Sequence, residues 1–184
     1  MSEALVALHF QNDICHPAGR VPFSLNRGTD EAGAFFSASA EALSRARDDR
    51  WTVAHVHIAF AEDYSDLPRN CRLFRAVEER GALRRGSWGS EAFEGFEPRR
   101  GEITVVRNRN SAFRNTNLLA RLRRRGITRL AVMGLATQFS VEHTVRDASD
   151  LGFNVTVLSD CCASADESAH QASLNTMAML ADIA

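Results

Sequence analysis

Residues 4–10 read ALVALHF, an uninterrupted apolar run of strand length that is followed at once by the polar residues 11–13, QND. A strand that is apolar at successive positions has no solvent-facing side, and such runs are typical of parallel sheets covered on both faces. This segment therefore predicts a central strand of an α/β protein, with polar side chains gathered where the strand ends.

Further strand-length apolar runs alternate with helical patterns along the chain. Strands are predicted at residues 51–60, 102–107, 128–134 and 154–158. Helices are predicted at residues 29–47 (with Thr29 or Asp30 as the N-cap), 73–80, 116–125, 139–151 and 166–183. This order predicts a single α/β domain over residues 1–184, with a doubly wound, mostly parallel sheet in three α/β/α layers.

The composition excludes several classes of function. The 184 residues carry 22 basic and 23 acidic side chains and a net charge of −1, so we expect no nucleic-acid partner. No apolar run approaches the ~18 residues of a membrane span. The start, Met1-Ser2-Glu3, lacks the basic and apolar regions of a signal peptide, and we expect no membrane contact. The four cysteines show no C-x-x-C pair or zinc spacing, which indicates reduced thiols in a cytoplasmic protein.

Two absences from the sequence restrict the chemistry. All 22 basic residues are arginine, so no mechanism can use a lysine amine of this chain. Neither G-x-G-x-x-G nor G-x-x-x-x-G-K-[ST] is present, so no nucleotide is indicated and we expect no cofactor. Active sites of doubly wound sheets lie beyond the carboxyl ends of the strands, so functional side chains are sought there.

Four segments, in order and with matching spacing, resemble the isochorismatase-like (cysteine) hydrolase family. Residues 4–14, ALVALHFQNDI, resemble its opening strand and D-x-Q-N-D-F signature. Residues 105–113, VVRNRNSAF, are similar to its K-x-R-x-S-A-F motif, and residues 134–148 to G-x-x-T-x-x-C-V-x-x-T-x-x-D-A. The fourth segment is residues 152–164 with His170. The resemblance implies a Rossmann-like three-layer fold, a hydrolase acting on a small molecule, and a homo-oligomer.

The family's catalytic chemistry uses an Asp base, a Lys and a nucleophilic Cys, and the resemblance places these three roles on His9, Arg107 and Ser140. A serine hydroxyl is a poor nucleophile unless a base takes its proton, and a histidine serves as that base near neutral pH. Arg107 stays charged, so it can bind a carboxylate or stabilise an oxyanion. We therefore predict that these residues hydrolyse an amide, ester or vinyl-ether bond of a small anionic molecule, with a carboxylate as the candidate anion.

Each of these residues also has an alternative structural role. Ser140 can cap the helix that begins beside it, and His9 can be a core histidine bonded to the backbone. Arg107 can form an ion pair with Asp13 or Asp160. If these roles hold, the chain is a catalytically inactive homologue that serves as a binding or assembly subunit.

Two further alternatives concern cysteine and metal chemistry. Cys15 or Cys162 can be considered as a replacement nucleophile. His55 and His57 alternate on one strand and share a face, which raises a metal hypothesis. The resemblance to nicotinamidases implies an Asp and two His in this region. Because the Asp position falls on His57 and the next ligand position on Ala59, we expect no metal.

A substrate pocket is expected around these residues. The resemblance implies a cis peptide at Leu135–Ala136, and backbone N–H groups at the start of the following helix are expected to hold an oxyanion. Predicted substrate-binding residues are Gln11, Phe60, Trp88, Phe113, Ala136, Thr137 and Phe139, with Phe23 as a further pocket aromatic. An exposed aromatic stretch at Trp88, Phe93 and Phe96 is the candidate oligomer contact.

Overall fold

The computed structural model describes residues 2–21 and 30–184. Two expectations, Phe23 in the pocket and Thr29 as a helix cap, fall outside these residues. The strands are β1 Glu3–Leu8, β2 Thr52–Ile58, β3 Ile103–Arg107, β4 Arg129–Leu135, β5 Asn154–Ala163 and β6 Asp182–Ile183. The helices are α1 Asn12–Cys15, α2 Asp30–Asp48, α3 Arg72–Glu79, α4 Leu118–Arg124, α5 Glu142–Asp150 and α6 Glu167–Met177.

The six strands form one parallel sheet in the order β3-β2-β1-β4-β5-β6, which confirms the predicted doubly wound α/β fold. On β1, Leu5 and Ala7 join a core with side chains of α2 and α3. The alternate residues, Ala4, Val6 and Leu8, join a second core with α4, α5 and α6. The two cores explain why β1 is apolar at every position. In the described part of the chain, no helix has the length and apolar character that crossing a bilayer requires.

The chain after residue 158 differs from the sequence prediction. β5 extends to Ala163, where Gly134 pairs with Cys162 after a register shift in β4. The last helix ends at Met177, and residues 182–183 form β6. The N–H of Ala184 donates to the carbonyl of Val157 at 2.9 Å, so this segment satisfies its backbone groups in the sheet. Side-chain periodicity carries no signal for such a pairing.

The polar residues after β1 fasten the long excursion between β2 and β3 to the sheet. Gln11 Nε2 donates to the carbonyls of Ile58 at 3.0 Å and Ser90 at 2.9 Å, and Gln11 Oε1 accepts from the N–H of Ile58 at 2.8 Å. Asn12 Nδ2 donates to the carbonyl of Trp88 at 2.9 Å. The two amide side chains therefore hold the segment around residues 88–90 against the end of β1.

Asp13 completes this fastening. Its carboxylate accepts from the N–H groups of Leu83 at 2.6 Å and Arg20 at 3.2 Å. Gly89 packs so closely that an added Cβ would lie 2.0 Å from a carboxylate oxygen of Asp13. Asp13 is thus engaged by backbone N–H groups, and the ion pair with Arg107 that the sequence left open does not form.

The aromatic excursion is only partly exposed. Phe96 is buried and stacks on Phe10 with ring centroids 4.2 Å apart and planes 7° from parallel. Trp88 alone of the three aromatics leaves about half of its surface, 48%, exposed. The prediction of an exposed contact surface that includes Phe96 is therefore wrong, because this ring is core.

Candidate active site

His9 occupies the first position beyond β1 in an unusual backbone conformation. Its φ is +65°, in the left-handed region that residues with a Cβ seldom adopt, at a cost of roughly 1–3 kcal/mol. A hydrogen bond of 3.0 Å from its N–H to the carbonyl of Val56 ties this position to β2. The side chain is only 3% exposed. Such locally strained positions cluster at functional sites.

The structure brings His9, Arg107 and Ser140 together, although they come from three separate strand ends. His9 Nε2 lies 2.8 Å from Ser140 Oγ. Arg107, the last residue of β3, donates from Nη2 to Ser140 Oγ at 2.8 Å, and the same nitrogen contacts His9 Nε2. All three side chains are buried, with Arg107 only 1% exposed.

The contact with Arg107 favours one tautomer of His9. Because a guanidinium nitrogen only donates, Nε2 presents its lone pair to Arg107 in that tautomer and the ring proton sits on Nδ1. The single lone pair of Nε2 then faces both Arg107 Nη2 and the Ser140 hydroxyl. Burial, followed by the charge of Arg107, lowers the pKa of His9 well below its ordinary 6.5, so the imidazole is neutral at neutral pH.

Arg107 gives the cluster a positive charge that no described acidic group compensates. Burial lowers the pKa of Arg107 to about 9, which leaves it protonated at neutral pH. Within the described ranges it forms no salt bridge, and its Nε and Nη1 atoms are buried without a hydrogen-bond partner. A buried charge without a partner is costly, and negative charge nearby would be stabilised.

Ser140 lies inside a π-helical turn, Thr137–Val141, that precedes α5. Its hydroxyl makes no capping hydrogen bond and instead contacts His9 and Arg107. The N–H groups of Phe139 and Ser140 both donate to the carbonyl of Ala136, at 3.1 and 3.0 Å. The turn itself uses these two N–H groups, so a backbone oxyanion site stays a prediction for the other N–H groups of the turn. Arg107 Nη2 is the donor that reaches Ser140 Oγ.

The chain enters this turn through Gly134. Every described peptide bond is trans, so the expectation of a cis peptide at Leu135–Ala136 is wrong. Gly134 has a φ of +138°, and an added Cβ would lie 2.2 Å from the carbonyl oxygen of Leu8, its partner on β1. This glycine supplies both the change in chain direction and the close approach of β4 to β1 beside the site.

Helix α6 braces the turn that carries Ser140. Thr137 Oγ1 lies 2.8 Å from His170 Nδ1, and Ser173 Oγ donates to Glu142 Oε2 at 2.6 Å. Thr137 is fully buried. Its hydroxyl therefore holds the turn in place and does not face a substrate.

A cavity of about 40 Å³ adjoins the cluster. On a scale of about 10–15 Å³ for one water, it takes roughly three waters or the reacting end of a small molecule. Of the predicted residues, His9, Ser140, Ala136 and Phe139 line it. The remaining wall residues are Ile14, Ile58, Leu73, Phe74, Val77, Leu83, Asn110 and Leu135. Arg107 is not among the lining residues, and it meets the cavity through its contacts with His9 and Ser140.

The remaining predicted pocket residues are not among those that line the cavity. The side chain of Gln11 donates its hydrogen bonds to the carbonyls of Ile58 and Ser90. Phe60 is fully buried among core aromatic rings. Phe113 packs in the core on the opposite face of the sheet, and Trp88 lies at the surface. Their positions after strands placed them at the correct edge of the sheet, but the sequence did not specify which way each side chain faces.

The sequence did not identify the residues of α3 that line the cavity. The apolar positions 73, 74 and 77 gave only the signal of an amphipathic helix. Their role depends on the packing of α3 over the cavity, which connects residues far apart in the chain. Asn110 had a weaker signal, since it directly precedes the S-A-F motif.

The metal and cysteine alternatives find little support in the geometry. His55 Nε2 contacts Glu102 Oε2 at 2.8 Å, and no group of three His, Cys, Asp or Glu among residues 2–21 and 30–184 is arranged to hold a metal ion. Burial raises the pKa of the Cys162 thiol to about 12, which keeps it from forming a reactive thiolate. Cys15 Sγ is buried and donates to the carbonyl of His9 at 3.6 Å.

Comparisons with known proteins identify the family. A family model described as the isochorismatase domain matches residues 3–184. An uncharacterized isochorismatase family protein, YecD of Escherichia coli O157:H7, is 28% identical over 172 residues, covering 94% of this chain and 85% of the relative. The ureidoacrylate amidohydrolase RutB of Variovorax paradoxus is 40% identical over 78 residues, covering 42% of this chain and only 31% of that protein.

Solved structures give the same result. An isochorismatase family protein from Desulfovibrio vulgaris superposes with a TM-score of 0.85 and 30% identity, covering 99% of this chain and 93% of that one. The N-carbamoylsarcosine amidase of Thermoplasma acidophilum shares the fold, with a TM-score of 0.77, 23% identity and coverage of 100% and 95%. The match over residues 3–184, on a sheet of the order described above, shows that the chain belongs to the isochorismatase family of hydrolases.

Proposed function

We propose that this protein hydrolyses an amide or ester bond of a small, anionic molecule, with Ser140 as the nucleophile, His9 as its general base and Arg107 as the electrostatic stabiliser. The observation that carries the proposal is the contact of Ser140 Oγ with both His9 Nε2 and Arg107 Nη2, each at 2.8 Å. A hydroxyl so placed can lose its proton to the imidazole while the guanidinium stabilises the oxygen that becomes negative.

The reaction then follows the atoms of the site. Ser140 Oγ attacks the carbonyl carbon and its proton moves to His9 Nε2. The tetrahedral oxyanion collapses and the amine or alcohol leaves with the proton from His9. Water, deprotonated by His9, hydrolyses the resulting Ser140 ester, which releases the carboxylic acid and restores the hydroxyl. Ala136 and Phe139 on the cavity wall are the proposed substrate contacts.

Charge supports an anionic substrate. Proton transfer to His9 creates an imidazolium beside Arg107, and two unit charges ~4 Å apart repel by ~4 kcal/mol at an effective dielectric of ~20. A negative group on the substrate, and the oxyanion formed from it, offset this repulsion. The low pKa of His9 also makes it a poor proton donor from the resting state, so vinyl-ether cleavage, which needs a proton donor, is disfavoured.

The second candidate is a binding or assembly subunit without turnover. No described carboxylate bonds His9 Nδ1, whereas a catalytic histidine is ordinarily oriented by a carboxylate at that nitrogen. The uncompensated charge of Arg107 would serve anion binding equally well. A cytoplasmic location, a single domain and a homo-oligomeric state stay predictions for either candidate.

The test uses the purified full chain with a series of short dicarboxylic acid half-amides and half-methyl-esters. Ser140→Ala and His9→Gln are each expected to lower kcat by at least ~1000-fold, as removal of a nucleophile or its base does in serine hydrolases. A burst of product and a covalent acyl mass on the peptide containing Ser140 are expected from wild type. Turnover that survives in both variants refutes the mechanism. Saturable binding without turnover, lost in Arg107→Met, selects the second candidate.

A further inference from the structure

Among the described residues that line the cavity, Asn110 is the one polar residue that the proposed mechanism does not use. It lies three residues beyond Arg107, where the chain leaves β3. The other described wall residues are His9, Ser140 and apolar side chains, among them Leu73, Phe74 and Val77 of α3. A polar group in such surroundings has few means of satisfying its hydrogen bonds within the protein.

The side-chain oxygen of Asn110 is buried and has no hydrogen-bond partner among the described residues. The nearby Asn108, in contrast, has hydrogen-bond partners for both its side-chain nitrogen and its side-chain oxygen. Asn108 Nδ2 donates to the carbonyl of Asp66 at 2.9 Å, and Asn108 Oδ1 accepts from Asn115 Nδ2 at 3.2 Å. Buried polar atoms in folded proteins nearly always have partners, so a lone buried acceptor on a residue that lines the cavity is suited to a donor on a ligand.

We propose that Asn110 is a specificity-determining residue whose Oδ1 accepts a hydrogen bond from an N–H group of the substrate. This inference rests on the proposed function, because His9 and Ser140 line the same cavity. An amide that carries an N–H satisfies the acceptor, while an ester or a tertiary amide of the same shape leaves it buried and unsatisfied. A site built to bond a donor discriminates strongly against an analogue that lacks it.

The experiment compares three substrates of one short dicarboxylic acid: the half-amide, the N,N-dimethyl half-amide and the half-methyl-ester. Wild type is expected to favour the half-amide over the dimethyl amide. In Asn110→Leu, kcat/KM for the half-amide is expected to fall about 5- to 150-fold, the range for removing the partner of one buried hydrogen bond. Because neither ester nor dimethyl amide offers an N–H, their kcat/KM values are expected to change less than ~3-fold.

Controls separate the possible failures. Asn117→Leu is a matched substitution at the N-cap of α4, where the side chain makes no capping hydrogen bond, and it should leave all three kcat/KM values unchanged. If Asn110→Leu does not fold, Asn110→Ala replaces it. Equal losses on all three substrates overturn the proposal for Asn110 and leave the proposed function standing.

If wild type turns over none of the three compounds, the proposed function fails for these substrates, and the role of Asn110 is decided by calorimetric binding. Tighter binding of the half-amide than of the dimethyl amide, with the difference lost in Asn110→Leu, supports the inference. Equal affinity of wild type for the two amides overturns it.

Discussion

Replacing Arg107 with Met is expected to stabilise the protein while lowering its hydrolysis or anion binding. A fall of the pKa from 12.5 to about 9 corresponds to about 5 kcal/mol by which burial disfavours the charged guanidinium. The unfolded chain keeps this group protonated up to about 12.5, so the full cost is present at pH 7 and diminishes only as pH rises above about 9.

The guanidinium also makes favourable contacts that the variant loses. Arg107 Nη2 contacts both His9 and Ser140. Hydrogen bonds that involve a charged group are worth ~1.5 kcal/mol each at the lower end of their range, so their loss offsets about 3 kcal/mol. Methionine fills a similar volume and has no charge to bury. The expected net gain is about 2 kcal/mol, which for a protein of this size raises Tm by about 4–8 °C.

Urea denaturation and thermal unfolding at pH 7 measure this gain, with hydrolysis or anion binding assayed on the same samples. Arg109→Met is the matched control, since Arg109 is only partly buried and donates to a nearby carbonyl at 2.8 Å; its free energy of unfolding should change by less than ~0.5 kcal/mol. A loss of stability above ~1 kcal/mol in Arg107→Met would show that the folded protein compensates the charge, and the reasoning about an uncompensated cation would be refuted.

Three further predictions concern the acid limit of activity, acid stability and backbone geometry. The acidic limb of kcat/KM is expected below pH 6.5, because burial and then the charge of Arg107 lower the pKa of His9. This limb should move to higher pH in any active Arg107→Met preparation. An unchanged limb would exclude His9 as the base. The pKa of His57 falls to about 4 in the folded protein, so the unfolded chain binds more protons below pH 6.5. The free energy of unfolding should therefore fall by up to about 2 kcal/mol between pH 7 and pH 5 because of this residue. Urea denaturation of His57→Gln should show a correspondingly smaller fall, and a pH dependence identical to that of wild type would contradict the prediction. Gly134→Ala should lower the free energy of unfolding, measured by urea denaturation, by about 3 kcal/mol or more, because the added Cβ would lie 2.2 Å from the carbonyl oxygen of Leu8. A loss below ~1 kcal/mol would mean that the strands adjust freely.

The interpretation of residues 11–13 illustrates how a correct motif can be given an incorrect role. The sequence placed Gln11 among substrate contacts because it follows a strand at the active edge of the sheet. In the fold its amide bonds the backbone of Ile58 and Ser90, and Asp13 bonds that of Leu83. These residues shape the site by fixing the excursion, and they do so through backbone groups that sequence patterns do not identify.

The amino-acid sequence by itself determined the parallel α/β architecture and the positions of His9, Arg107 and Ser140 at strand ends. Apolar periodicity is local, and parallel strands necessarily bring their carboxyl ends to one edge. Only the tertiary structure decided that the three side chains touch, that Arg107 is buried without a described acidic partner, and that α3 and Asn110 contribute to the cavity wall. These features arise from contacts between residues far apart in the chain, where side-chain direction and packing depend on every neighbouring element at once.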